Sequence, residues 1–139
     1  MCWTSDTNPI PKTADKDIIC YKIFSIEDIK YKVKKFLGIT FRKESIKELY
    51  SLYKEYKYIP YAANPKVTIN YRKYNGIYSW WSIDKGYHSY STLDQAELKR
   101  IPKLELIVEC VIPKGSIYYL NKNNEIVSSN IIVTDKIIN

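Results

Sequence analysis

Alternation of apolar and polar positions divides this chain into short segments, most of which read as strands. Ile18–Phe24 (IICYKIF) is β-branched and aromatic, a first strand. Val67–Tyr74 (VTINYRKY) alternates with period two. Asn75-Gly76 behind it is a strong hairpin signal, and Ile77–Ile83 (IYSWWSI) is the return strand. Asp84-Lys85-Gly86 makes another turn, and Tyr87–Tyr90 (YHSY) follows as a short strand or loop. Leu104–Ile112 (LELIVECVI) has the near-continuous apolar character of a buried strand. Pro113-Lys114-Gly115 turns it into Ile117–Leu120, Asn121–Asn124 forms a further turn, and Asn130–Ile138 closes the chain.

Helical periodicity is clearest over residues 43–56, where Ile46, Leu49, Tyr50 and Tyr53 form one apolar stripe opposite lysines and glutamates. Residues 26–41 fit two patterns. Ser25 followed by Asp28 is a helix start, yet IKYKVKKF also alternates like a strand, and Gly38 ends either one. Ser91 or Thr92 caps a helix over 93–100, Thr92 with Gln95 having capping-box spacing, and Pro102 stops it. Residues 1–17, with Pro9 and Pro11, read as an extended arm anchored by Trp3, and residues 18–139 as a single domain. Strands and helices do not alternate as βαβ units. The expected fold is therefore α+β, a mainly antiparallel sheet of about six strands with two short helices.

A chain of 139 residues, 45% hydrophobic and 27% charged, buries a core without metal or disulfide staples. No apolar run reaches the length of a membrane span, and the first twenty residues lack the apolar stretch of a secretory signal. Cys2, Cys20 and Cys110 are an odd set without CxxC spacing, which argues against a disulfide framework and a zinc site. The expectation is a reduced, cytoplasmic protein with no membrane partner and no metal. Net charge is +7, and its distribution is uneven: residues 21–74 hold thirteen basic against five acidic residues, while residues 75–139 balance. Arg42, Arg72 and Arg100 are the only arginines, and no DNA-docking motif is present, so specific DNA reading is not expected. A lysine-rich region of this kind is a solvated face or one that attracts an anion.

Candidate chemistry gathers around the single histidine. His88 sits in Lys85–Thr92 (KGYHSYST), where Gly86 permits close backbone approach and Ser89, Ser91 and Thr92 bring hydroxyls to a helix start. Free N–H groups at such a start suit a phosphate. Tyr87, Tyr90 and Tyr21 are aromatic neighbours in the same or the first strand, and Trp81 could offer an indole platform. No nucleophile elbow or P-loop frame is present. Glu105 and Glu109 share one side of a strand, a spacing that could support paired-carboxylate chemistry but reads first as an exposed face matched by lysines.

Three segments together resemble the ADP-ribosyltransferase fold: Cys20-Tyr21-Lys22-Ile23, then Gly86–Ala96 (GYHSYSTLDQA), then Val108–Ser116 (VECVIPKGS) and a final strand pair. The GYH segment and the terminal IPKGS-x-YY block are also similar to short bacterial and phage-type proteins. The resemblance implies NAD as cofactor, Lys22 at the Arg/His position, Ser89 and Ser91 at the serine positions, and Glu125 as the catalytic carboxylate. Lysine lacks the fork of arginine, and Glu125 stands in NNEIV without the Glu-x-Glu or Gln-x-Glu element, Asn123 being the residue two positions before it. What remains is a cleft for an anionic, nucleotide-like molecule, with Lys22, Tyr21, Trp81, Tyr87, His88, Ser89, Tyr90 and Ser91 as its binding residues and a concave, positively charged hollow beside His88. Sequestration of a signalling nucleotide by a mobile-element protein is the use the resemblance implies. ADP-ribosyl transfer is the alternative, a tyrosine-rich interaction surface the third reading, and homo-oligomers are left open.

Overall fold

Side-chain caps set where each helix begins. Ser25 Oγ accepts the Asp28 N–H at 3.3 Å and starts α1 (Ile26–Leu37). Ser45 Oγ does the same for Glu48 and starts α2 (Ile46–Lys57), and Thr92 Oγ1 accepts from Gln95 to start α3 (Leu93–Lys99). Residues 26–37 are helical because Ile29 and Val33, four apart and fully buried, need a common face, whereas Lys30, Lys34 and Lys35 remain exposed. Gly38 ends α1 at φ 62°, and its N–H donates to the Lys34 carbonyl.

The computed structural model describes residues 3–38, 45–58, 63–73 and 77–138. Within them run the strands β1 (Trp3–Ser5), β2 (Lys12–Thr13), β3 (Ile18–Ser25), β4 (Val67–Lys73), β5 (Ile77–Ile83) and β6 (Tyr87–Tyr90). After α3 come β7 (Glu105–Ile112), β8 (Ile117–Leu120), β9 (Glu125–Ser128) and β10 (Ile132–Ile138). A three-stranded sheet has the order β1-β5-β4 and a seven-stranded sheet the order β10-β7-β3-β6-β9-β8-β2. Every pairing is antiparallel, so the fold is α+β as the pattern implied.

Ten strands and three helices occur among the described residues, where about six and two were expected. β1 and β2 are too short to alternate visibly, and β9 (EIVS) is buried at all four positions and so has no polar rhythm. The first residues are thus woven into both sheets: β1 lies along β5, and β2 along β8. Asn75-Gly76 lies outside the described residues, but β4 and β5 pair in register from Val67 opposite Ile83 to Lys73 opposite Ile77.

The large sheet is covered on both faces. α1 and α2 pack on one, over Cys20, Phe24, Val108, Cys110 and Ile112. Phe24 meets Tyr50, Tyr53 and Tyr58 edge-on at 5.4, 5.9 and 5.8 Å between ring centroids. On the other face α3 covers Tyr21, Ile23, Tyr90 and Ile107 through Leu93 and Ala96. The small sheet joins that face, where Trp3 and Ile83 pack against Tyr119 and Val127.

Candidate functional site

β3 and β6 are neighbours in the large sheet yet ladder at one pair, Tyr21 opposite Tyr90. β3 then runs on toward α1 paired with β7, and the edge of β6 facing it is open beyond that pair. A cleft of about 510 Å³ lies along this split, lined by Lys22, Ile23, His88, Tyr90, Lys99, Glu105 and Glu125. Lys22 Nζ donates to the His88 carbonyl at 2.8 Å, supplying a partner that the ladder no longer provides.

His88 projects from β6 on the same side as Tyr90, since residues two apart on a strand share a face. Its Nε2 lies 3.1 Å from the Ile83 carbonyl. A carbonyl only accepts, so Nε2 carries the hydrogen and Nδ1 is left as an acceptor. Burial lowers the pKa of the ring below the ordinary histidine value, and the neighbouring Lys22 lowers it further. Tyr90 is 6% exposed. Its phenol is pushed up by burial first and then by the charges of Glu125 and Glu105, so at neutral pH it keeps its hydrogen.

Glu125 faces Tyr90 across β9 and is held by Asn121. Asn121 Nδ2 donates to Glu125 Oε1 at 3.0 Å and to the Thr4 carbonyl at 2.9 Å, while its Oδ1 accepts from the Glu125 and Asn123 N–H groups. Trp3 Nε1 donates to the Glu125 carbonyl at 2.9 Å, which ties the first strand to the cleft wall. Glu105 Oε1 accepts the Ile101 N–H at 2.7 Å, closing the turn between α3 and β7.

Of the residues picked out from the sequence, the structure brings Lys22, His88, Tyr90 and Glu125 together. It sends the others elsewhere. Tyr87 and Ser89 alternate to the opposite face: Tyr87 packs on Tyr58 at 6.3 Å, and Ser89 is 1% exposed beside Cys20. Tyr21 lies under α3. Trp81 sits in the middle strand of the small sheet, opposite Ser5 and Ile69, and Ser91 donates its N–H to the Asn124 carbonyl. None of these five lines the cleft.

Two expectations about charge need correction. The start of α3, where Thr92 Oγ1 takes the Gln95 N–H, is not where the cleft opens, since none of residues 91–95 lines it. The cleft lies instead at the other end of that helix, beside Lys99. Nor is the hollow positive: Lys22 and Lys99 are matched by Glu105 and Glu125. Lys99 carried no distinctive sequence signal toward this site, since it reads as an ordinary solvated charge on a helix end, and Glu105 was singled out only for its pairing with Glu109, which does not line the cleft.

No family model matches the sequence, and comparison with curated proteins and with solved structures finds no match.

Proposed function

We propose that this cleft binds a small nucleotide-like molecule. The observation that carries the reading is the convergence of His88, Tyr90, Glu125 and Lys22, from segments up to a hundred residues apart, on one hollow of about 510 Å³. That volume falls within the range of about 300–1,000 Å³ typical of small-molecule sites. A mixed lining suits a ligand with unlike ends. Lys99 at the rim supplies a cation for phosphate, the two carboxylates accept hydrogen bonds from sugar hydroxyls, and the Tyr90 hydroxyl donates. His88 Nδ1 is a further acceptor.

Calorimetric titration with adenosine monophosphate, adenosine diphosphate, NAD and cyclic dinucleotides tests this. Binding of at least one, weakened about tenfold or more by both His88→Ala and Glu125→Gln, supports the reading. Absence of heat from every ligand removes it.

A second reading, ADP-ribosyl transfer from NAD, is favoured by one observation: the Glu125 carboxylate is oriented by Asn121 and lies in the same cleft as His88. A fixed carboxylate there would stabilise the positive charge that develops at the ribose carbon as nicotinamide departs. Labelled NAD should then mark protein or nucleic acid, and Glu125→Gln should abolish the mark.

A further inference from the structure

The split between β3 and β6 holds an amine that shares a cleft with two carboxylates but, among the described residues, is ion-paired with neither. Lys22 Nζ makes one hydrogen bond, to the His88 carbonyl, and among the described residues no carboxylate lies within ion-pair distance of it. The groups around it come from every neighbouring element: the thiols of Cys20 on β3 and Cys110 on β7, Lys57 on α2, His88 on β6, and the Phe24 ring at 5.9 Å. A cation beside a second lysine, with no ion pair among the described residues and only the Phe24 ring to favour its charge, is a poor structural device. A neutral amine in the same place keeps its hydrogen bond and has a free lone pair. Desolvation by burial lowers the pKa of this amine, and the Lys57 charge acts in the same direction.

We propose that Lys22 is a nucleophile that condenses with the carbonyl of a small aldehyde or ketone entering the cleft. The Nζ lone pair adds to the carbonyl carbon and the C=O π electrons move to oxygen, which takes up a proton; nitrogen loses one. The resulting carbinolamine expels its hydroxyl group as water after a second protonation, and loss of the remaining N–H proton leaves a neutral imine. Amine and carbonyl thus become imine and water, with no oxidant or reductant. Tyr90 is the proton donor in the cleft, and the Glu105 and Glu125 carboxylates accept what nitrogen sheds. This chemistry stands apart from nucleotide binding, and neither requires the other.

Reductive trapping on the intact wild-type chain tests it. The protein is incubated at pH 7 with glyoxylate and sodium cyanoborohydride, which converts an imine into a stable secondary amine, and labelled lysines are mapped by peptide mass spectrometry. Lys22 is expected to label several-fold faster than Lys30 and Lys34, exposed on α1, since a lowered pKa leaves more of its amine neutral at pH 7. Tyr90→Phe, which keeps the ring, should slow labelling of Lys22 and leave that of Lys30 unchanged. Labelling of Lys22 no faster than the exposed lysines, or preferential labelling of Lys99, would overturn the proposal. Because the first readout needs no variant, a misfolded mutant cannot decide the matter.

Discussion

Gly86 is where the backbone must pass closest to its neighbours. It sits at φ 121°, and a Cβ built there lies 2.5 Å from Val127 Cγ1 and 3.2 Å from the Ser128 carbonyl. Val127 stands opposite His88 in the ladder, so a methyl group at 86 pushes β9 away from the strand that carries the imidazole. Gly86→Ala is expected to destabilise by about 2–4 kcal/mol, the combined cost of the left-handed conformation and of overpacking, read as a lower urea midpoint. An unchanged midpoint would show that β9 yields freely. Lys22→Met should destabilise less, by about 1 kcal/mol, because it leaves the His88 carbonyl without the partner that Lys22 Nζ supplies while relieving the burial of an amine. At this scale the sequence was half legible. His88 announces itself as the only imidazole. The grouping of Tyr87, Ser89 and Ser91 with it followed from leaving residues 87–90 as strand or loop. Once they form a strand, adjacent side chains must diverge, and two of these neighbours are lost to the core.

Elements were legible where local chemistry marks their ends. Ser25, Thr92 and Gly38 stand at helix boundaries as their residue types suggest, and the long strands alternate as they should. β1, β2 and β9 were hidden because their reason for being extended lies in distant partners. Trp3 is the clearest case: it is 1% exposed, meets Tyr119 edge-on at 6.3 Å and donates to the Glu125 carbonyl. Trp3→Ala should cost about 3–5 kcal/mol and loosen the cleft wall along with the sheet. If the variant unfolds at the wild-type urea concentration, the first strand is an appendage rather than a wall. Trp3→Phe, which keeps the packing but not the N–H, should recover most of the stability and leave Glu125 less firmly held, visible as weaker ligand binding.

For the whole molecule, the two faces of the large sheet divide the work. α1 and α2, which cover the face opposite α3, carry seven lysines against four acidic residues, a part of the basic excess of residues 21–74, so a charge count along the chain pointed away from the balanced cleft. Only the topology reveals this, since β3 within the same basic stretch contributes to both faces. Acid stability follows from the cleft side. His88 has its pKa lowered in the fold, so the unfolded chain binds a proton first as pH falls. Stability is therefore present above the ordinary histidine value of about 6.5 and declines as pH drops below it. The urea midpoint should fall between pH 7 and pH 5, and fall less in His88→Asn; equal slopes in both proteins would assign the dependence to other groups. The lowered pKa values of Asp6 and Asp135, paired with Lys122 and Lys54, act only at lower pH and leave this window clear.

The strand order also sets a schedule for synthesis. β3 is made early, but its two neighbours, β7 and β6, are encoded some 65 to 90 residues later, and β2 waits longer still for β8. A chain leaving the ribosome would therefore carry Ile18–Ser25 unpaired until most of the polypeptide had followed. Such an apolar edge invites pairing with other nascent chains, while α1 and α2, made next and packed over Cys20 and Phe24, can shield one face of the strand meanwhile.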